Sequence, residues 1–137
     1  MKSNSGRSGI MTHEEKALSY YESDYHCSQA VLAAFAEELG LTEGQALRIS
    51  HCFNCGMRMG EVCGACSGAL MVIGMKYGQY DKSDADSDNR ANDKAFTFLR
   101  EFQKENGSYL CRELLGKGER VCSKMVVSAI RILEKIE

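Results

Sequence analysis

Residues 62–78 read VCGACSGALMVIGMKYG, and the fold turns on whether this segment is a metal-binding or redox knuckle on a sheet or the body of a helix. Its apolar run is continuous rather than alternating, and the chain contains no proline and no sustained strand-like alternation anywhere. The segment is therefore read as a helix rich in small residues. Glycine costs about 1 kcal/mol per position in a helix interior, so Gly64, Gly68 and Gly74 imply a packing reason: another backbone approaches closely along that face.

On either side, helices follow one another. Thr12 and Glu15 form a capping box, opening a helix to about Ser23. Asp24 is placed to cap a second helix through YHCSQAVLAAFAEEL, with Val31, Leu32, Phe35 and Leu39 at helical spacing and Gly40 as its stop. Thr42 and Gln45 make another box before a short third helix. Residues 52–61 are glycine-punctuated and read as irregular. Residues 80–92 are polar and acidic, a surface connection, after which a helix is expected from about Asp93 to Asn106 with Phe96, Leu99, Phe102 and Gln103 along one side. Gly107 stops it, Ser108 can cap YLCRELLG, and Gly118 precedes a last helix carrying Val121, Met125, Ser128 or Ala129, and Ile132. The expected fold is all-α: a single-domain bundle of about five to seven helices with a glycine-rich central helix, spanning residues 12–137, after a flexible leader or extension at residues 1–11.

Composition narrows the function. The chain has 137 residues, 17 Lys and Arg against 19 Asp and Glu, and a net charge of -2 without a basic block, so nucleic acid is not an expected partner. The longest apolar run, about ten residues, is far short of the ~20 that span a bilayer. With no apolar leader segment, a cytoplasmic location is the default. Seven cysteines, an odd number, in such a compartment are not a disulfide framework.

Placed on the helices, the cysteines show a pattern. Cys27, Cys63 and Cys122 fall at helix starts, and Cys111 lies early in the short helix before Cys122. Helix N-termini stabilise thiolates through unpaired N–H groups and the helix dipole, and both metal ligation and redox exchange require thiolates. A single cysteine on a helix is more often a small buried hydrophobe, but seven in one small chain are too many for packing alone.

Residues 52–66, CFNCGMRMGEVCGAC, contain two CxxC pairs, Cys52 with Cys55 and Cys63 with Cys66. On a helix such pairs lie about 5 to 6 Å apart at Cβ, close enough to share a metal or act as a dithiol. CGAC looks superficially like the thioredoxin active site, but there is no βαβ pattern and no proline to face it. A zinc ribbon usually spaces its knuckles by ~15 to 20 residues, whereas seven separate Cys55 from Cys63. Haem attachment fails because Gly56 and Ser67 stand where a c-type site needs His.

The combination YHCSQAVLAAF, FNCGMRMGEVCGACSGALMVIGMKYG, CRELLG and VCSKMV resembles the small redox-active proteins named for a C, GCAxxG, C, C pattern. The CGAxxG motif falls at Cys63, Gly64, Ala65 and Gly68. The resemblance implies a helical domain whose four characteristic cysteines match Cys27, Cys63, Cys111 and Cys122. Related domains occur in multihaem split-Soret cytochromes, where the cysteines are associated with an unusual iron–sulfur centre. With no haem-attachment motif here, only the iron–sulfur part transfers. Cys52, Cys55 and Cys66 are additional to the pattern.

Two mechanisms remain open. In one, Cys27, Cys63, Cys111 and Cys122 ligate a metal centre, foremost an iron–sulfur cluster, which passes electrons to a redox partner protein; four thiolates are its common complement, and zinc is the alternative occupant. In the other no metal is bound, and Cys63, with Cys66 or Cys27 resolving, exchanges with a substrate disulfide. Separate contributions from four segments favour the first, since a dithiol needs only two. His26 and His51 adjoin Cys27 and Cys52 and can orient them, though each is read first as an ordinary helix histidine, as is His13. Met57 and Met59 are read as core gap-fillers before soft metal ligands. Small-residue helices also invite a homodimer.

Overall fold

The computed structural model describes residues 11–115 and 122–137. The expected leader at residues 1–11 falls outside them except for Met11, as do Gly118 and Val121. Among the described residues there are eight α-helices, six of them eight residues or longer, and no extended strand. The all-α expectation holds.

Helix α1 (His13–Glu22) starts with the Thr12–Glu15 capping box, and α4 (Glu43–Ser50) with the Thr42–Gln45 box. Between them lie α2 (Cys27–Ala34) and the single turn α3 (Ala36–Leu39), closed by Gly40 at φ 77°. In α2 every residue from Ser28 to Ala34 is buried. A helix apolar all round belongs in the interior, and α2 packs against α1, α4, α5 and α8. Its three alanines let those neighbours come close. Ser28 and Gln29 are affordable there because Ser28 Oγ donates to the Ser50 carbonyl at 2.8 Å and Gln29 Nε2 to the Leu47 carbonyl at 3.0 Å.

Helix α5 (Gly64–Tyr77) lies against α2, and its first glycines show why. A Cβ on Gly68 would stand 2.7 Å from the Ser28 carbonyl oxygen and 3.2 Å from Val31 Cβ. A Cβ on Gly64 would stand 2.6 Å from Cys27 Sγ. The close approach expected of this helix is therefore made at two of three glycines. Gly74 meets nothing within 4 Å and has no packing role.

The polar segment differs from expectation. Helix α6 (Ala85–Asn106) begins eight residues before Asp93, because Asp84 accepts from Ser87 N at 3.1 Å and the acidic Asp86 and Asp88 occupy its first turn. Carboxylates there complement the helix dipole, so residues that read as a loop by composition form the helix start. The apolar stripe is Phe98 and Phe102, both fully buried, while Phe96 is 64% exposed and Gln103 lies at the surface. Helix α7 (Cys111–Leu115) is short, and α8 (Cys122–Ile136) buries Met125, Ser128, Ala129 and Ile132 as its spacing predicts. No helix among the described residues is long and apolar enough to cross a membrane.

Candidate functional site

Four helix starts meet at one cavity. Cys27 is the first residue of α2, Cys63 the N-cap of α5, Cys111 the first residue of α7, and α8 begins at Cys122. All four line a cavity of about 450 Å³, together with Cys55, Asn54, Gly64, Tyr25, His26 and Met125. Asp24 does not cap α2 as expected. It sits in a left-handed turn at φ 73°, also on the cavity wall, and the N-cap is His26, whose N–H is held by the Gln29 side chain at 2.9 Å.

Chain-distant cysteines are brought together by two devices. The first is the α2–α5 contact, in which Gly64, lacking a side chain, leaves room for the Cys27 sulfur. The second is invisible in the sequence: Val62 and Leu110 form an isolated antiparallel bridge. Cys63 N donates to the Tyr109 carbonyl at 2.7 Å and Cys111 N to the Glu61 carbonyl at 2.6 Å. Two hydrogen bonds thus pin the starts of α5 and α7 side by side.

The thiols are in contact. Cys27 hydrogen-bonds to Cys63, and Cys63 to the fully buried Cys66. Backbone N–H groups of Ser28 and Ala65 point at the Cys27 sulfur, as the helix-start reading anticipates, and by themselves they would acidify it. They are outweighed. The Cys27 thiol is pushed far above its ordinary range, first by the hydrogen bond to Cys63 and then by burial. For Cys63 the hydrogen bond from Cys27 lowers the value, but the bond to Cys66 and burial win and push it up to about 12. Burial pushes Cys111 up to about 11, with the charges of Cys55, Cys27 and Cys122 adding to it. The acidification expected of helix starts does not prevail: thiol–thiol hydrogen bonds and burial override the helix ends.

Among the described residues, no three or more His, Cys, Asp or Glu side chains are grouped so as to hold a metal ion. The donor chemistry of the cavity is nevertheless that of a soft-metal site, with five cysteine side chains on one wall system. Asn54 adds an orphan. It is 1% exposed and lines the cavity; its Nδ2 donates to the His51 carbonyl at 2.6 Å, while its Oδ1 has no partner. Buried acceptors without partners are uncommon; this oxygen is sealed off from the open space of the cavity.

The remaining candidates lie outside this centre or at its mouth. Cys52 is exposed and does not line the cavity. His26 and His51 meet edge to face at 5.6 Å between ring centroids. Met57 and Met59 are 52% and 78% exposed, not the core gap-fillers their type suggests; they stand on a turn whose backbone turns them out. His13 is remote, bonded to Glu38 and Glu134 at 2.5 and 2.7 Å and stacked on Phe35 at 4.0 Å, where it ties α1 to α3 and α8. Cys55 lies outside the four-cysteine pattern, and the glycine-flanked CFNCG run is the sequence signal that marks it.

Residues 25–136 match the family model described as "Putative redox-active protein (C_GCAxxG_C_C)". No curated protein and no solved structure matches the chain.

Proposed function

This chain belongs to the C_GCAxxG_C_C family of redox-active proteins, and from that premise we propose that it is an electron-transfer protein whose four motif cysteines hold an iron–sulfur cluster. The observation that carries this is the convergence of Cys27, Cys63, Cys111 and Cys122, from four separate helix starts, on one cavity. A bound cluster would supply a reversible one-electron step. The protein's part is to supply thiolates and to orient them.

The size of the cavity supports a polynuclear occupant over a single zinc ion: at about 450 Å³ it is roomier than one ion requires. The raised thiols fit the same reading. Cys27 and Cys63 are raised by their thiol–thiol hydrogen bonds and by burial, and Cys111 by burial; thiols of this kind would give up their protons on ligating a metal. Once deprotonated, Cys27 receives N–H groups of Ser28 and Ala65, which hold its sulfur in place and offset its charge.

Metal-free thiol–disulfide exchange is the second reading, favoured by the hydrogen-bonded Cys27–Cys63 pair. It requires a thiolate near neutral pH, and Cys63 at about 12 is almost wholly protonated there. Cys66, its other candidate partner, is fully buried behind it.

Anaerobic purification with iron, sulfide and zinc analysis and a visible spectrum tests the proposal. Iron and sulfide in stoichiometric amount with charge-transfer absorption support it. A colourless, metal-free protein with two fast-reacting thiols would overturn it in favour of exchange, and stoichiometric zinc would favour a binding module.

A further inference from the structure

Resting on the cluster reading, we infer that Cys55 is a fifth sulfur donor to the same cavity, standing at its solvent side. Cys55 lies outside the four-cysteine pattern, yet it lines the cavity with those four residues and lies close enough to Cys111 for their charges to interact. It is also the exposed member of the set, while Cys63 and Cys111 are buried.

Its position is fixed by a backbone that does not suit it. Cys55, Gly56, Met57 and Arg58 all have positive φ, between 53° and 65°, a region that favours glycine. Glycine is required at position 56, where a Cβ would stand 2.4 Å from Glu61 N, and Glu61 N closes the turn by donating to the Gly56 carbonyl at 2.9 Å. Position 55 asks for glycine by conformation alone and holds a cysteine instead, at the mouth of a sulfur-lined cavity.

Ligation by Cys55 breaks its S–H bond, forms an S–metal bond and releases the proton to solvent, with no change of oxidation state.

The test is anaerobic reconstitution of the full chain with ferrous iron and sulfide, followed by iodoacetamide alkylation read residue by residue by mass spectrometry. In the metal-free protein Cys52 and Cys55 alkylate together, both being exposed. After loading, Cys55 becomes protected while Cys52 does not. If Cys55 continues to react in step with Cys52 in iron-loaded protein, it is no ligand and the inference falls, with the four-cysteine reading intact. If wild-type protein takes up no iron, both fail. A Cys55→Gly variant guards against misfolding, since glycine suits this backbone: it should keep the metal-free fold but surrender iron to a chelator about tenfold faster or more, the scale on which even outer-sphere partners tune metal sites. Wild-type release from that variant would overturn the inference.

Discussion

The two halves of residues 52–66 share a composition and use it in opposite ways. Each holds a pair of cysteines three apart with glycines nearby. In the second half Gly64 opens a regular helix, and with Gly68 just beyond the stretch it makes room for α2 and for the Cys27 sulfur. In the first half the glycines serve backbone shape: Gly56 and Gly60 adopt positive φ in a turn that carries Cys55 out to the cavity mouth. Small residues thus encode interhelical contact in one half and left-handed geometry in the other, and only the first of these uses follows from helical spacing.

Among single substitutions, the largest expected effect tests the packed half. Gly68→Ala drives a Cβ to 2.7 Å from a main-chain oxygen of α2, which cannot rotate away. Overpacking of this kind costs up to about 3 kcal/mol, and the gain in helix propensity of about 1 kcal/mol leaves a net loss near 2 kcal/mol. A urea midpoint equal to wild type would show that α2 and α5 do not touch backbone to backbone. Gly64→Ala meets a side-chain sulfur, which can swing aside. It should cost less stability but displace Cys27, so reduced iron uptake is its diagnostic.

The buried thiols give the next effect. Cys63 and Cys111 are raised to about 12 and about 11 in the folded chain, while unfolded thiols ionise near ~8.5. Above that value the unfolded chain gives up protons that the native chain keeps, so stability falls as pH rises, by up to ~1.4 kcal/mol per pH unit for each such thiol. Below ~8 these groups contribute no slope. The urea midpoint of metal-free protein should therefore drop from about pH 8 to pH 10, and Cys111→Ser should drop less. A flat profile would mean that the cavity does not hold its thiols protonated.

Much of the fold was legible because its signals are local. The Thr12 and Thr42 capping boxes, the stops at Gly40 and Gly107, and the buried positions of α8 all lie where spacing puts them. The start of α6 was not, because Asp, Ser and Asn favour loops and helix N-termini alike, and only the bond from Ser87 N to Asp84 decides between them. At the site, helix starts and motif together indicated Cys27, Cys63, Cys111 and Cys122. The Val62–Leu110 bridge that aligns two of them is a pairing between residues 48 apart with no local pattern to announce it. Thiol acidity is not legible in the sequence for a related reason: the helix dipole is a local property, whereas crowding among Cys27, Cys63 and Cys66 exists only once the chain has folded.

Smaller effects sharpen the contrast between the halves. In metal-free protein, Cys55→Gly removes the Cβ from a left-handed position, a strain of about 1–2 kcal/mol, against a glycine entropy cost of about 0.5–1 kcal/mol. The net gain should be near 1 kcal/mol or less in the urea midpoint, the reverse of Gly68→Ala. A clear loss instead would mean that the cysteine already contributes packing in the metal-free protein.

The smallest prediction isolates what the helical glycines are for. Gly74 lies in the same helix as Gly68, but a Cβ there meets nothing within 4 Å and the residue is exposed. Alanine at that position fits the helical backbone, restricts the unfolded chain and creates no clash, so Gly74→Ala should stabilise by about 0.5–1 kcal/mol. Two glycines six positions apart would then respond with opposite sign to the same added methyl group. If Gly74→Ala instead destabilises by as much as Gly68→Ala, that face of α5 is occupied in solution by another surface. A rise in sedimentation coefficient in wild type, abolished by the substitution, would identify the surface as a second copy of the chain.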